Sequence, residues 1–183
     1  LNVAVSYSEM PANVEHSSNR GRIESLRRLK KAGLKTLLFY RPIVIGWNSS
    51  DEHITKVLSA AKEAGVDAIV VGGLRLSDSE RDNIIKHGLG LPPTHPKDFK
   101  KFLPQELVER IAHIYNDLGL NIPMVRRISC GRSILNGASD YNAHWSEPDK
   151  NCWKTCPTAQ VRICGSKALP SSDEVRFLLD RID

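Results

Sequence analysis

The stretch "LKTLLFYRPIVIGWNSSDEHITKVLSAAKEAGVDAIVVGG" (34–73) decides the fold of this 183-residue chain. It has a strongly apolar run at 34–46, helical spacing of apolar residues over 49–65, and a second apolar run at 66–73. Short runs that are apolar throughout are typical of strands covered on both faces, as in a parallel sheet. The stretch therefore predicts a parallel strand–helix–strand unit.

The same alternation continues towards the start of the chain. "NVAVSY" (2–7) is a short apolar run, and 18–33 places apolar residues at helical spacing between lysines and arginines. After residue 73, "SDSERDNIIKHGLG" is typical of a helix or helical turn. Alternating strands and helices build a parallel sheet, and three such units are too few to close an eight-stranded barrel. The residues thus predict a piece of a barrel, a half-barrel or a small open sheet.

The second half of the chain has a different pattern. A proline-rich loop precedes "PQELVERIAHIYNDLG" (104–119), which predicts an amphipathic helix. Residues 121–129 allow one more strand, 130–170 predicts irregular structure, and a helix follows Ser171. We accordingly divide the chain into a βα region (1–100) and a C-terminal extension (101–183).

Two helix starts and one helix end carry specific signals. Ser49 and Glu52 have the spacing of a capping box, and Gly65 is a suitable stop for the helix that they begin. Pro104 suits the first turn of the helix that follows it. These signals set the expected bounds of two helices.

Composition limits the classes of function. The chain is 40% hydrophobic and 26% charged, as in ordinary globular proteins, and no apolar run is long enough to span a bilayer. We expect a cytoplasmic protein with no membrane contact. A net charge of +5 is compatible with a nucleic-acid or other anionic partner without requiring one. The first residues lie inside an apolar run, which suggests an upstream part.

Four cysteines are concentrated in the last third of the chain. They are Cys130, Cys152, Cys156 and Cys164. Clustered cysteines in a cytosolic chain bind metal or do redox chemistry more often than they form disulfides. Thiolates are ligands of both zinc and iron–sulfur clusters, and the spacing fits neither a zinc ribbon nor a ferredoxin. An iron–sulfur cluster, zinc and buried thiols without metal all remain open.

The order of motifs over residues 1–76 resembles the second half of the radical SAM half-barrel. It is most similar to the branch that includes spore photoproduct lyase. The matching pieces are Arg22 at the start of a helix, "RPIVIGWN" (41–48), "AKEAGVDAIVV" (61–71) and Leu74-Arg75. The resemblance implies a partial TIM barrel with an irregular, cysteine-containing C-terminal lobe.

The resemblance also implies cofactors. Enzymes of this family hold a [4Fe–4S] cluster on a C-x-x-x-C-x-x-C loop and cleave S-adenosylmethionine to start radical chemistry. This sequence has no such loop. The resemblance therefore implies a missing N-terminal half, either in the same protein or on a partner chain. A base-containing substrate, a nucleotide or nucleic acid, follows from kinship with spore photoproduct lyase.

The resemblance assigns site residues by position at the strand ends. Those implied to bind S-adenosylmethionine are Ser6, Ser8, Val44, Gly46, Gly72, Gly73 and Leu74. Four arginines are candidates to hold an anionic substrate: Arg41, Arg75, Arg126 and Arg127. The four cysteines become an auxiliary iron–sulfur site, with zinc as the alternative. No catalytic residue is identified.

Two functions thus follow from the sequence. The first is the C-terminal portion of a radical SAM enzyme, of lyase or transferase type, with an auxiliary cluster. The second is a non-enzymatic α/β module, held together by zinc, that binds nucleic acid or protein.

Overall fold

A computed structural model describes residues 2–11, 14, 19–74, 76–88, 103–141 and 155–166. The strands are β1 (Asn2–Ser6), β2 (Lys35–Ile43), β3 (Ala68–Gly73) and β4 (Met124–Val125). The helices are α1 (Asn19–Lys31), α2 (Asp51–Ala64), α3 (Asp78–Lys86), α4 (Gln105–Asp117), α5 (Ile128–Asn136) and α6 (Thr158–Gly165). The predicted alternation of strands and helices is confirmed.

The four strands form one parallel sheet in the order β1-β2-β3-β4. One line of paired residues crosses the whole sheet: Ser6, Phe39, Val70 and Val125. Because every strand runs in the same direction, the carboxyl ends of all four lie along one edge. The α/β class with a parallel sheet is therefore confirmed at the level of the sheet.

One face of the sheet carries the main core. Leu38, Tyr40 and Ile69 belong to a cluster of buried residues that also contains Leu58 of α2 and Ile111 of α4. These side chains have no exposed surface. Residues from both sides of the predicted division at 100/101 thus share one core.

The other face, which we call the α5 face, packs against α5. Leu37 and Val70 form a smaller buried cluster with Leu135 of α5. A Cβ atom added at Gly131 would lie 2.9 Å from Val70 Cγ2 and 3.0 Å from Leu37 Cδ2. The glycine therefore allows α5 to approach the sheet closely.

The predicted start of α2 is wrong by one residue. Ser50 is the N-cap, and its side chain accepts a hydrogen bond from the His53 backbone N–H. Ser49 Oγ instead accepts a hydrogen bond from the Gly46 N–H, at 3.2 Å, in the turn after β2. The end of α2 is as predicted, with Gly65 in the left-handed conformation at φ +64°.

The strand expected within 121–129 is present but shorter than that segment, and the irregular structure expected at 130–170 is wrong where the structure describes it. β4 has only two residues, and α5 begins at Ile128 inside the segment predicted as a strand. The segment predicted to be irregular contains most of α5 and all of α6. The buried residues of α5 include Ser129, Gly131 and Ser133, so small residues mask the apolar spacing that would have indicated a helix. The helix predicted after Ser171 lies outside the described residues.

No helix in the described ranges is long and apolar enough to cross a membrane.

Candidate functional site

The carboxyl edge of the sheet gathers several of the predicted site residues. Ser6 ends β1, Arg41 lies near the end of β2, and Gly73 ends β3. Ser6 Oγ donates a hydrogen bond to the Arg41 carbonyl at 3.0 Å. Arg22 Nη1 donates to the Ser6 carbonyl at 3.1 Å. The exposed Ser6 hydroxyl thus ties the ends of β1 and β2 together.

Asn48 organises the loops at this edge. Its side chain has no exposed surface, and its Oδ1 accepts a hydrogen bond from the Val44 N–H at 2.7 Å. Its Nδ2 donates to the carbonyls of Pro42, at 3.0 Å, and Ser8. The Tyr40 hydroxyl donates to the Asn48 carbonyl. One buried amide therefore joins the loop after β1 to the turn after β2. The sequence motif contains Asn48, but the spacing alone does not reveal this role.

Three of the residues predicted to bind the cofactor surround this amide. Ser8 is 2% exposed and Val44 is fully buried, so neither presents side-chain surface at the edge. Gly46 is exposed and adopts φ +91°, which favours glycine. At this turn the exposed main chain of Gly46, and not the Val44 side chain, is available to a ligand.

Arg41 lies across Gly72 on the neighbouring strand. A Cβ at Gly72 would lie 2.8 Å from Arg41 Nε and 3.1 Å from its Cδ, so a side chain there would displace the arginine. Burial lowers the pKa of Arg41 from its usual value. Its Nη1 atom is buried and has no hydrogen-bond partner among the residues that the structure describes. A guanidinium stays charged in proteins, so this nitrogen favours an acceptor or an anion beside it.

The remaining predicted residues of this edge are only partly described. Gly73 is buried, whereas Leu74 is half-buried. Arg126 directly follows β4, where burial lowers its pKa, and Arg127 is the N-cap residue of α5. Arg75 lies outside the described residues. The sheet thus brings Arg41 and Gly72 together and places Arg126 after the last strand of the same edge.

Sequence patterns gave no signal for a charged cluster at the end of β1. Glu9 adopts φ +52°, and its carboxylate accepts a hydrogen bond from Lys56 Nζ at 2.7 Å. Burial pushes the pKa of Glu9 upward, but the hydrogen bonds from Lys56 and Tyr7 outweigh it and lower that pKa. Burial, followed by the hydrogen bond to Glu9, raises the pKa of the Tyr7 hydroxyl. The cluster borders a cavity of about 520 Å³ between α1 and α2. Because these groups satisfy one another, the cluster stabilises the loop.

Two of the four cysteines bond to one buried residue, Asp140, one to its carboxylate and the other to its backbone N–H. Cys130 Sγ of α5 donates a hydrogen bond to Asp140 Oδ2 at 3.3 Å. The Asp140 backbone N–H donates to Cys164 Sγ of α6 at 3.4 Å. Gln160 Nε2 also donates to Cys164 Sγ, at 3.3 Å. Asp140 is 5% exposed. Cys130 and Cys164 are therefore held on either side of one residue.

The third described cysteine is anchored near β4. Cys156 follows Thr155, whose Oγ1 donates to the Met124 carbonyl and accepts from the Met124 N–H at 3.2 Å. Cys130, Cys156 and Cys164 are all half-buried and outside any disulfide. Cys152 lies outside the described residues. Within the described ranges, no three Cys, His, Asp or Glu side chains are arranged to hold one metal ion.

The site chemistry therefore has two separate parts. The carboxyl edge offers hydroxyl, glycine main-chain and guanidinium groups, which suit a polar or anionic small molecule. The C-terminal helices offer the sulfur of Cys164, which accepts two N–H donors, and the thiol of Cys130, which donates to Asp140. Comparisons with models of protein families, with curated proteins and with solved structures found no match to this chain.

Proposed function

We propose that this chain is the C-terminal portion of a radical SAM enzyme with an auxiliary iron–sulfur site. Two features support the proposal: the motif order over residues 1–76, and a parallel sheet with polar and glycine residues at its carboxyl edge. Parallel α/β sheets bind their ligands at that edge. In this proposal the sheet is part of a partial barrel.

One observation of geometry carries the proposal of a metal centre. Cys130, 10 residues before Asp140, and Cys164, 24 residues after it, both bond to that residue. Two separate helices thus each place one cysteine sulfur within hydrogen-bonding distance of Asp140. The N–H donors to Cys164 Sγ, from Asp140 and Gln160, are of the kind that stabilises a metal-bound thiolate. Cys156 and Cys152 complete the proposed ligand set. Metal binding requires the cysteine side chains to come closer together than those of the described residues are.

The carboxyl edge has a separate role in this proposal. Ser6 and the exposed main chain of Gly46 bind and orient S-adenosylmethionine, with Asn48 holding the loops in place. When bound, that cofactor supplies a 5′-deoxyadenosyl radical for hydrogen abstraction. Arg41 binds an anionic group of the substrate, for which a nucleotide is the proposed class. Arg126 and Arg127 extend the basic surface beyond β4.

Metal analysis of the intact protein, purified without oxygen, tests the proposal. We expect iron and sulfide, the broad visible absorption of an iron–sulfur cluster, and cleavage of S-adenosylmethionine after reduction. Cys130→Ser and Cys164→Ser each remove one proposed ligand and should reduce the iron bound at the auxiliary site. Ser166→Ala, at the exposed end of α6, is the matched control and should retain the iron.

Two results would contradict the proposal in different ways. If the cysteine variants and the control bound equal amounts of iron, the proposed auxiliary site would be refuted. The cleavage of S-adenosylmethionine would then still test the enzyme assignment separately. A colourless protein with zinc bound by the cysteines, and no cleavage, would replace the enzyme with the zinc-held binding module.

A further inference from the structure

A groove lies on the α5 face between α5 and the first two strands. We call it the α5 groove. Its volume is about 320 Å³, and it is lined by Asn2, Val3, Ala4, Leu37, Phe39, Ile128 and Arg132. Its lining residues do not include the cysteines or the residues of the loops that Asn48 holds. No role has so far been assigned to it.

The floor and one wall of the groove are apolar. Ala4 and Leu37 are paired across β1 and β2, and Phe39 follows on the same face of β2. Ile128 of α5 contributes the opposite wall and is 41% exposed, although it is large and apolar. A flat ring against Phe39 would cover apolar surface that is now exposed to water.

Among the described residues that line the groove, the only charged side chain is positive. Arg132 lies one helical turn after Ile128, on the same side of α5, and is exposed. In the described part of the chain Arg132 has no hydrogen bond and no ion pair. β1, β2 and α5 contain no aspartate or glutamate. Among the described lining residues, therefore, no carboxylate compensates the charge of Arg132.

One end of the groove is fixed by polar contacts. Asn2 Nδ2 donates to Asn136 Oδ1 at 2.8 Å, and Lys35 Nζ donates to the Leu135 carbonyl. These bonds join the C-terminal end of α5 to the starts of β1 and β2. The groove thus has a defined width, which favours a small molecule that needs no rearrangement of the walls.

We infer that the α5 groove binds a small organic anion with a flat apolar body, of the class of aromatic phosphates. The ring would lie against Phe39 and Ile128, and the phosphate would pair with Arg132. The volume falls at the small end of the range for ligand sites. The positive charge without a carboxylate favours an anion over a neutral or cationic ligand of the same shape. This inference is independent of S-adenosylmethionine chemistry.

Titration of the intact protein with phenyl phosphate, followed by amide NMR shifts, tests the inference. We expect saturable shifts at Phe39 and Ile128. Arg132→Gln should weaken binding about tenfold, since it removes the charge-assisted pair. Phe39→Leu should weaken it several-fold by removing the ring contact. Arg28→Gln is the matched control, because the Arg28 side chain is 79% exposed on α1. This variant should bind phenyl phosphate with the affinity of the unmodified protein.

Two smaller probes test the phosphate contact and the ring contact separately. Inorganic phosphate and benzyl alcohol should each bind more weakly than phenyl phosphate, because each supplies only one of the two contacts. Equal losses in Arg132→Gln and Arg28→Gln would overturn the inference, as this would indicate general attraction to a basic protein. An absence of shifts at the groove would also overturn it, and would indicate that another segment of protein covers this face.

Discussion

Each of two regions of this molecule contains a buried side-chain amide that bonds to neighbouring segments, and the bonding partners of the two amides differ. Asn48, in the βα region, is fully buried and bonds to the main chain of Val44, Pro42 and Ser8. Gln160, in the C-terminal region, is 6% exposed and donates to the Ala138 carbonyl, at 2.7 Å, and to Cys164 Sγ. The first amide bonds only to main chain and to the nearby Met10 sulfur, whereas the second also bonds to a cysteine proposed as a metal ligand.

The hydrophobic clusters on the two faces of the sheet differ in size. Among the described residues, the cluster around α1, α2 and α4 contains twenty buried residues, whereas the cluster under α5 contains five. Burial of apolar area is the main source of stability, so the larger cluster, which residues from both sides of the division at 100/101 share, contributes most. The cluster under α5 is smaller, and the polar contacts of Asp140 and Gln160 add to it. We therefore expect a substitution at Asn48 to affect the whole fold, and a change at α5 to act mainly on its own region.

The largest effect is expected for Asn48→Ala. The change leaves the buried Val44 N–H and the Pro42 carbonyl without their partner, which costs about 3 kcal/mol in the free energy of unfolding. Urea denaturation followed by circular dichroism measures the loss. Asn83→Ala, on the exposed surface of α3, is the control and should stay within about 0.5 kcal/mol of the unmodified protein. Equal stability of the two variants would show that the Asn48 contacts do not hold the edge.

A smaller and more local effect is expected for Gly131→Ala. The new methyl group would lie 2.9 Å from Val70 Cγ2 and 3.0 Å from Leu37 Cδ2, which is closer than van der Waals contact. We therefore expect α5 to move away from the sheet, at a cost of about 2 kcal/mol in the free energy of unfolding. Hydrogen exchange should show faster opening of α5 while the amides of β2 and α2 keep their protection.

The control for that variant is Gly21→Ala in α1. No atom lies within 4 Å of a Cβ at Gly21, so the substitution should stabilise α1 by up to about 1 kcal/mol through helix propensity. If Gly131→Ala also increased stability, the close approach of α5 to the sheet would be refuted. If β2 and α2 lost protection together with α5, the two regions would be one cooperative unit.

The βα region could be predicted from sequence because its signals are local. The apolar runs at 34–46 and 66–73 gave β2 and β3, and Gly65 marked the end of α2. The N-cap was misplaced from Ser50 to Ser49 because both serines can cap a helix. Only the turn after β2, which uses Ser49 Oγ, distinguishes them. That turn is a tertiary feature which spacing does not encode.

The C-terminal region could be predicted less well because its signals are non-local. α5 buries small residues against the sheet, so its apolar spacing is weak, and its docking depends on Gly131 meeting Val70. The contact of Cys130 and Cys164 with Asp140 links three separate parts of the chain, and no sequence pattern marks Asp140. Likewise, Phe39 and Arg132 become neighbours only when α5 crosses the sheet. The cysteines were identifiable by residue type, but their partners were not.

The smallest effect is expected for Asp67→Asn, which tests how much charge adds to the region with the larger core. Burial raises the pKa of Asp67, but the hydrogen bonds from Lys30 and from the Thr36 N–H outweigh it and lower that pKa overall. A carboxyl with a lowered folded-state pKa stabilises the protein above its unfolded pKa of about 4, and this stabilisation is lost as the pH falls through the folded value.

Asp67→Asn should therefore cost about 1 kcal/mol at pH 7, since Lys30 is partly exposed and the pair is screened by solvent. The difference from the unmodified protein should shrink on acidification to pH ~3. Urea denaturation at the two pH values measures the loss of stability at pH 7 and its decrease at low pH. Asp82→Asn, on the exposed surface of α3, is the control. If the two proteins were equally stable at both pH values, Asp67 would act through the hydrogen bonds that it accepts from Thr36, which asparagine also accepts, and not through its charge.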